Sequence, residues 1–195
     1  GWVPLKGRDI KETKDGFHLH GRESRVFKSR DSPVDAKIKD GTNFSRDARG
    51  NWFLNVCIEV EQPEQRPMNV GVGIDLGLKS FAALSTGETI DNPRHFRALE
   101  EKLGKAQRAR KKRQATNVHA RIVNARRDFL HKLSHRLVRE FDYIAVGNVN
   151  AAALAKTRMA KSVSDASWSS FRSMLAYKAL RHGAWFEEVN ESWST

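Results

Sequence analysis

An aspartate stands at the end of the apolar run that begins at Val70. The stretch reads VGVGIDLG, so Asp75 follows alternating valines and glycines and is itself followed by Leu76 and Gly77. A carboxylate at the end of a strand is a ligand for a hard cation such as Mg²⁺, and Gly73 and Gly77 would leave room beside it for a phosphate backbone. An ordinary aspartate in a turn between two strands fits the same letters equally well.

The elements after Asn69 indicate how this aspartate would be positioned. Two strands, NVGVGID and KSFAALST, are followed by the tight turn TGE and a short third strand at Thr89–Ile90. A helical region from about Arg94 to Phe141, with a break near QATN, leads to a strand at Tyr143–Val146. A helix and one more strand, AWFEEVNES, complete the order β-β-β-α-β-α-β.

This order predicts an α/β domain of the RNase H-like class with a mixed sheet. In that fold a carboxylate on the first strand points from the centre of the sheet into a shallow site. There two Mg²⁺ ions about 4 Å apart clamp a scissile phosphate. Actin-like ATPases begin in a similar way, so the stretch around Asp75 alone leaves both alternatives open.

The long helical region carries one apolar stripe and a dense set of cations. Val123, Leu130, Leu133, Leu137 and Phe141 recur at three- and four-residue steps and are predicted to pack on the sheet. The opposite surface is predicted to bind phosphates. Its cations are Lys102, Lys105, Arg108, Arg110, Lys111, Lys112, Arg113, Arg121, Arg126 and Arg127.

The helix after the fourth strand has its own start and stop signals. Ser167 is a suitable N-cap and Gly183 a suitable C-terminal stop. Trp168, Phe171, Leu175 and Ala179 form its apolar stripe. The segment before it, NAAALAKTRMAKSVSD, is predicted to be a mobile basic loop.

Residues 1–66 predict a separate, small antiparallel β domain. GFHLHG, SRVFKS and NWFLNVCIEVE have the composition of strands, and RDARGN is typical of a hairpin turn with Gly50 at the bend. EQPEQRP, with Pro63 and Pro67, marks the boundary with a second domain over residues 67–195.

Charge is the strongest global signal in the 195 residues. A net charge of +12 and a pI near 10.1 favour a polyanionic partner, most often nucleic acid. The single cysteine, Cys57, excludes an internal disulfide and a cysteine-based zinc cluster within the chain and fits a cytoplasmic compartment. No stretch approaches the roughly 20 apolar residues of a membrane span, and the opening GWVPLKGRD is unlike a signal peptide.

Other chemistries are poorly supported. His18 and His20 share a strand face in HLH, but no acid or cysteine partner is nearby, so surface histidines are the favoured interpretation. Ser85, Ser134 and Ser192 lack a nucleophile elbow. The spaced glycines of GVGIDLG miss the dinucleotide-binding pattern.

Several segments, in order, resemble the TnpB (OrfB) family of transposon-encoded relatives of type V CRISPR effectors. They are GIDLGLKSFAALSTGE, RRDFLHKLSHRLV, YIAVGNVN, WSSFRSMLAYKA and FEEVNESWST. Two earlier segments, GWVPLKGRDI and FSRDARGNWFLNVCIEVE, resemble strands of the wedge β-barrel that precedes the RuvC domain of that family. The resemblance implies a Mg²⁺-dependent RuvC nuclease. Its partners would be a guide RNA from the transposon end and a target DNA, and base pairing would read the sequence.

The chain departs from the family pattern at one catalytic position. The family ends its second motif strand with a glutamate, whereas Gly147 occupies that place here. The acids nearest in sequence are Asp142, before the strand, and Asp165, well after it. The glycine is natural, engineered or a sequencing error. The resemblance then implies either a cleavage-impaired nuclease or a nuclease-dead, RNA-guided repressor.

The end of the sequence is a second departure. NESWST is where the family continues into a four-cysteine zinc ribbon and the third catalytic aspartate. We therefore expect Zn²⁺ only in such a ribbon, and of the three catalytic acids Asp75 alone is matched in this stretch. The opening, without Met, suggests an internal fragment.

Overall fold

The structure, a computed structural model, describes residues 2–13, 16–19, 22–25, 37–148 and 167–190. The chain divides into two compact units, Gly1–Glu61 and Gln62–Thr195. The segment predicted as a mobile basic loop, including Asp165, lies outside the described residues, as do His20 and the last residues after Asn190.

The described part of the first unit contains two antiparallel three-stranded sheets. One has the order β1-β5-β6 and the other the order β2-β3-β4. A 3₁₀ helix, Gly7–Asp9, precedes β2. The strands are β1 Trp2–Pro4, β2 Ile10–Thr13, β3 Gly16–Leu19, β4 Arg22–Arg25, β5 Asn43–Arg46 and β6 Trp52–Asn55.

The hairpin predicted at RDARGN is confirmed, but one strand prediction needs correction. Gly50 has φ +92°, a conformation that glycine adopts at little cost, in the turn between β5 and β6. Of the strand predicted at SRVFKS, Ser24 and Arg25 belong to β4, and the rest of that segment lies outside the described residues. The long strand NWFLNVCIEVE ends at Asn55, and beyond it Ile58 makes only an isolated bridge to Ile38.

The second unit is built on a five-stranded sheet with the order β11-β10-β7-β8-β9. Strands β7 to β9 form the predicted antiparallel meander, and β10 and β11 add in parallel on the other side of β7. The predicted order of strands and helices is thus confirmed. The strands are β7 Gly71–Leu76, β8 Ser80–Leu84, β9 Thr89–Asp91, β10 Tyr143–Gly147 and β11 Trp185–Val189.

Among the described residues, three helices accompany this sheet: α1 His95–Arg108, α2 Lys112–Glu140 and α3 Trp168–His182. The C-terminal half of α2 and the predicted stripe of α3 pack with one face of the sheet in the main core. The N-terminal half of α2 forms a separate cluster with α1. Within the described residues, no helix is both long and apolar enough to span a bilayer.

Two details of the helical prediction were wrong. The break falls at residues 109–111, where Arg110 has φ +53°, and QATN lies inside α2. Val123, assigned to the apolar stripe, is 54% exposed. The buried side of α2 changes along its length, because Val118 and Ile122 face α1 whereas Leu130 and Leu137 face the sheet.

Residues 62–69, the connecting strap, are fixed against the second unit. Arg66 donates from Nη2 to the carbonyl oxygens of Val138 and Phe141 at the end of α2, at 2.7 and 3.0 Å. Its backbone N–H donates to Gly183 O at 2.7 Å, and Trp185 Nε1 donates to its carbonyl at 3.1 Å. The structural division after Glu61 therefore precedes the sequence boundary at residues 66 and 67, because Arg66 is bonded into the second unit.

Candidate active site and nucleic-acid interface

Asp75 and Gly147 lie side by side at the carboxyl ends of neighbouring parallel strands. The pairing of β7 with β10 runs from Gly71–Tyr143 to Ile74–Val146, so the next step of the register sets Gly147 beside Asp75. Adjacent strands are about 4.8 Å apart. The two positions line the same groove, as expected for two residues of one site.

Both positions belong to the face of the sheet opposite the helices, here called the open face. In β7, Val72, Ile74 and Leu76 are buried in the helix-covered core, whereas Asp75 is exposed. Successive residues of a strand point to opposite faces, so Asp75 shares its face with Gly73. The smallest residues of the sheet thus surround the aspartate and form a flat floor of Gly73, Ala83, Ala145 and Gly147.

The open face carries polar groups that the sequence did not reveal as part of a site. Ser85 Oγ accepts a hydrogen bond from Gly73 N at 3.0 Å, and Asn190 also lines the groove. Glu187, paired with Ala145, accepts a hydrogen bond from the Tyr143 hydroxyl at 2.6 Å. That bond to the carboxylate raises the pKa of Tyr143. In the sequence, the alternation of buried and exposed positions along the strands was the only pattern that could have placed these residues on the open face.

The oxygen atoms that the groove offers as metal ligands do not fit a site for two magnesium ions. Asp75 is the carboxylate among the groove-lining residues, accompanied by the hydroxyl of Ser85 and the amide of Asn190. Across the part of the chain that the structure describes, no three His, Cys, Asp or Glu side chains are grouped to hold a metal. Glu187 is turned toward Tyr143, and it lies in the register row of Gly73 and Ala145, two residues along the strands from Asp75. Two-ion chemistry needs oxygen ligands from more than one carboxylate, so these residues leave it incomplete.

Asp142 is placed as a structural residue. It precedes β10, at the end of the strand opposite Gly147. Its Oδ2 accepts a hydrogen bond from Val70 N at 3.2 Å, and its Oδ1 lies 3.4 Å from Arg66 Nη1. Asp142 thus fixes the start of two strands and does not reach the groove.

The predicted phosphate-binding cations follow the α1–α2 pair and the elbow between the helices. Nearly all are exposed, and the elbow brings Arg108, Arg110 and Lys111 together in sequence and space. Lys105 pairs with Glu101 at 2.6 Å, and Arg127 Nε lies 3.4 Å from His131 Nε2. Arg126 is half-buried, which makes it the least accessible of the predicted set. The other exposed members are Lys102, Lys112, Arg113 and Arg121.

The excess of positive charge belongs to the second unit. Residues 62–195 contain 23 Lys and Arg against 13 Asp and Glu, whereas residues 1–61 contain 12 against 10. A concentration of cations on one unit is the electrostatic pattern of a surface that contacts phosphates.

Comparison with known proteins identifies the class. Residues 55–158 match the OrfB_IS605 family model, described as "Probable transposase". That match covers more than half of the chain, and the chain belongs to the TnpB/OrfB family.

Two curated relatives carry names that describe an activity. A Streptomyces pristinaespiralis protein named "Putative RNA-guided DNA endonuclease" is 42% identical over 152 residues, covering 71% of this chain and 38% of the relative. The Escherichia coli K12 protein "Putative RNA-guided DNA endonuclease InsQ" is 28% identical over 163 residues, covering 69% and 40%. The chain thus spans about two fifths of the length of these relatives.

Among solved structures, the "Cryo-EM structure of the Cas12f1-sgRNA-target DNA complex" aligns with a TM-score of 0.44 and 14% identity. The alignment covers 97% of this chain and 52% of that one. A similarity this low is insufficient to infer a shared fold.

Proposed function

We propose that the second unit is the RNase H-like RuvC domain of a TnpB-type protein and that the chain contributes to RNA-guided binding of DNA. The observation that carries the proposal is the position of Asp75, at the carboxyl end of the central strand and on the open face of the sheet. The order of strands and the names of the curated relatives support it. The first unit would be part of the wedge β-barrel that precedes RuvC in that family.

Nucleic-acid binding rests on the α1–α2 surface. A guide RNA from the transposon end and a target DNA both present phosphates, and each lysine or arginine that neutralises one releases a counterion. The exposed run Lys111–Arg113 at the elbow is the densest part of this surface. In this arrangement the protein holds the backbone, and base pairing to the guide selects the sequence.

Cleavage is proposed to be impaired in this chain, and Gly147 is the reason. A Mg²⁺ ion held at such a site would supply activation of the attacking water and stabilisation of the leaving oxygen. Asp75 would be one of its ligands, and a glycine beside it supplies no side-chain oxygen. The same observation favours a second candidate, a nuclease-dead protein that binds DNA under RNA guidance and represses transcription.

The binding proposal is tested by the salt dependence of affinity. For the chain and a duplex DNA probe, the slope of log K against log salt should fall by about 2 to 3 when Lys111, Lys112 and Arg113 are all changed to Gln. The matched control changes Lys79, Arg94 and Arg181, three exposed cations outside α1 and α2, to Gln and should leave the slope close to that of the wild type. Equal slopes in all three proteins would show that the elbow does not contact the nucleic acid.

A further inference from the structure

Two aromatic rings stand exposed on the outer face of the first unit's β1-β5-β6 sheet. Trp2 pairs with Ser45, and Ser45 pairs with Phe53, so the three side chains form one row across three strands. Trp2 is 63% exposed and Phe53 48% exposed. Two strand spacings separate the rings, about 10 Å. We call Trp2, Ser45, Phe53, Asn43 and Asn55 the aromatic platform.

The platform is the outside of this sheet, because the other face is already packed. Phe44 and Leu54, which occupy the row next to Ser45, contact the cluster around Ile10 and Phe17. Side chains two residues apart share a face, so Asn43 and Asn55 lie on the platform beside Ser45. The exposed rings are therefore not the inner lining of the unit's core.

The polar groups between the rings are oriented by one another. Asn55 Nδ2 donates to Asn43 Oδ1 at 2.8 Å and to Ser45 Oγ at 3.0 Å, and Asn43 Nδ2 donates to Gly41 O at 3.0 Å. Within the described residues, this leaves the Ser45 hydroxyl proton and Asn55 Oδ1 without partners. One donor and one acceptor thus stand between two flat apolar surfaces.

We propose that the aromatic platform binds the bases of a single-stranded nucleic acid. Exposed rings on an open sheet stack on bases regardless of sequence, and hydroxyl and amide groups beside them bond to base edges. Between the rings, Ser45 and Asn55 offer hydrogen-bonding groups, so the platform provides both kinds of contact that a base can use, through its flat face and its polar edge. Asp47, in the turn between β5 and β6, is paired with Arg49, whose Nη2 lies 3.1 Å from Oδ2.

This inference rests on the proposed function and adds a second kind of contact to it. The α1–α2 surface binds phosphates and is sensitive to salt, whereas stacking on the platform involves no counterion. Loss of a platform ring should therefore lower affinity without changing the slope against salt. The two surfaces are distinguishable in one titration series.

The experiment measures the affinity of the chain for a labelled unstructured oligonucleotide and for the same oligonucleotide with abasic sites. Trp2→Leu and Phe53→Leu keep apolar bulk but remove the flat ring, and each should weaken binding by about 5- to 150-fold. Phe53→Tyr keeps a ring and should bind like the wild type. Trp52→Leu removes an exposed tryptophan from the same strand but the opposite face and should have little effect.

Each outcome separates the two proposals. If the Leu variants bind as tightly as the wild type, or if the wild type does not distinguish the abasic probe, the platform is not a base-binding surface. If Trp2→Leu instead abolishes self-association of the chain while oligonucleotide affinity is unchanged, the face is a contact between polypeptides and the inference is overturned. Failure of the wild type to bind any oligonucleotide would overturn the proposed function itself.

Discussion

Lys178 Nζ lies 2.8 Å from Ser134 Oγ in the buried interface between α2 and α3. Lys178 is only 8% exposed, and its Nζ also donates to His131 O at 2.7 Å. Ser134 Oγ in turn donates to Leu130 O at 2.6 Å, within its own helix. A single lysine thus joins the helix that follows β10 to the helix that precedes it.

Lys178→Met should cost less than about 1.5 kcal/mol of the free energy of unfolding, because methionine fills a similar volume without a buried amine. Lys178→Ala should cost about 2 to 5 kcal/mol, because it leaves a cavity between the helices. Urea unfolding at constant m-value measures both. Lys132→Ala, at an exposed pair with Asp128, is the control and should change stability by about 0.5 kcal/mol at most. A methionine variant as unstable as the alanine variant would show that the amine itself, rather than its volume, stabilises the interface.

Gly147→Glu is expected to create or raise DNA cleavage in the complete protein supplied with its guide RNA and Mg²⁺. The added carboxylate would stand beside Asp75 as a direct metal ligand. Substituting a residue that only hydrogen-bonds to a metal ligand changes activity by roughly 10- to 100-fold, so the increase in cleavage rate should be larger than that. Gly147→Gln has the same shape without the charge and serves as the matched control. Asp75→Ala added to Gly147→Glu should abolish the gain, with target affinity unchanged throughout. Equal cleavage by the wild-type and Gly147→Glu proteins would mean that another acid completes the site.

Stability should fall as pH drops below about 6.5, and His182 should contribute to that fall. Burial, His135 of α2, Arg181 of its own helix, Arg66 of the strap and Arg139 of α2 all lower the pKa of His182 from 6.5. The unfolded chain therefore takes up the proton at a higher pH than the folded one, and protonation favours unfolding in that window.

The check is urea unfolding between pH 5 and 7.5. His182→Gln should reduce the slope of stability against pH below 6.5 and leave the slope above it unchanged. His119→Gln, at an exposed position of α2, is the control and should keep the wild-type slope. A His182→Gln protein with the full wild-type slope would assign the pH dependence to other groups.

Gly183→Ala should destabilise the second unit more than Gly87→Ala. Both glycines have positive φ, +69° and +91°, so alanine costs about 1 to 2 kcal/mol at either position. A methyl group at position 87 meets nothing within 4 Å, whereas at position 183 it would overlap the carbonyl oxygen of Glu64 in the strap. The excess loss for Gly183→Ala in thermal or urea unfolding therefore measures the contact with the strap. Equal losses would show that the strap moves aside freely.

The sequence predicted the β meander and the α3 stripe because both are local patterns. Alternation bounded by short turns that contain glycine defines hairpins. Three- and four-residue steps place Trp168 and Phe171 on one side of a helix. Val123 failed because a single stripe was fitted to a helix that packs on two different partners in succession. Nothing in the sequence around Arg110 signals a left-handed residue in the elbow after α1, since an arginine rarely takes that conformation.

The site was predictable in part for a similar reason. Asp75 stands at a strand end in the sequence itself, so its place was accessible to a pattern. Glu187 and Ser85 reach the same face only through pairings across the sheet, which depend on contacts far apart in the chain. The role of Asp142 depends on its contacts with Arg66 and Val70, and Val70 lies 72 residues before it. A local sequence pattern cannot predict a partner so far away in the chain.

The bonds between Val70 and Asp142 have a consequence for how the molecule is assembled. Asp142 N and Tyr143 N both donate to Val70 O, at 2.8 and 3.2 Å, and this start of the β7–β10 pairing joins residues 72 apart. Helices α1 and α2 meet through a three-residue elbow and can form early, whereas the central strand pair must first close a long chain segment. We expect pulse-labelling hydrogen exchange to protect α2 amides before those of β10. The groove at Asp75 would then be among the last features to form. The register of β7 with β10 would by then have been set by Asp142, at the other end of the strand pair.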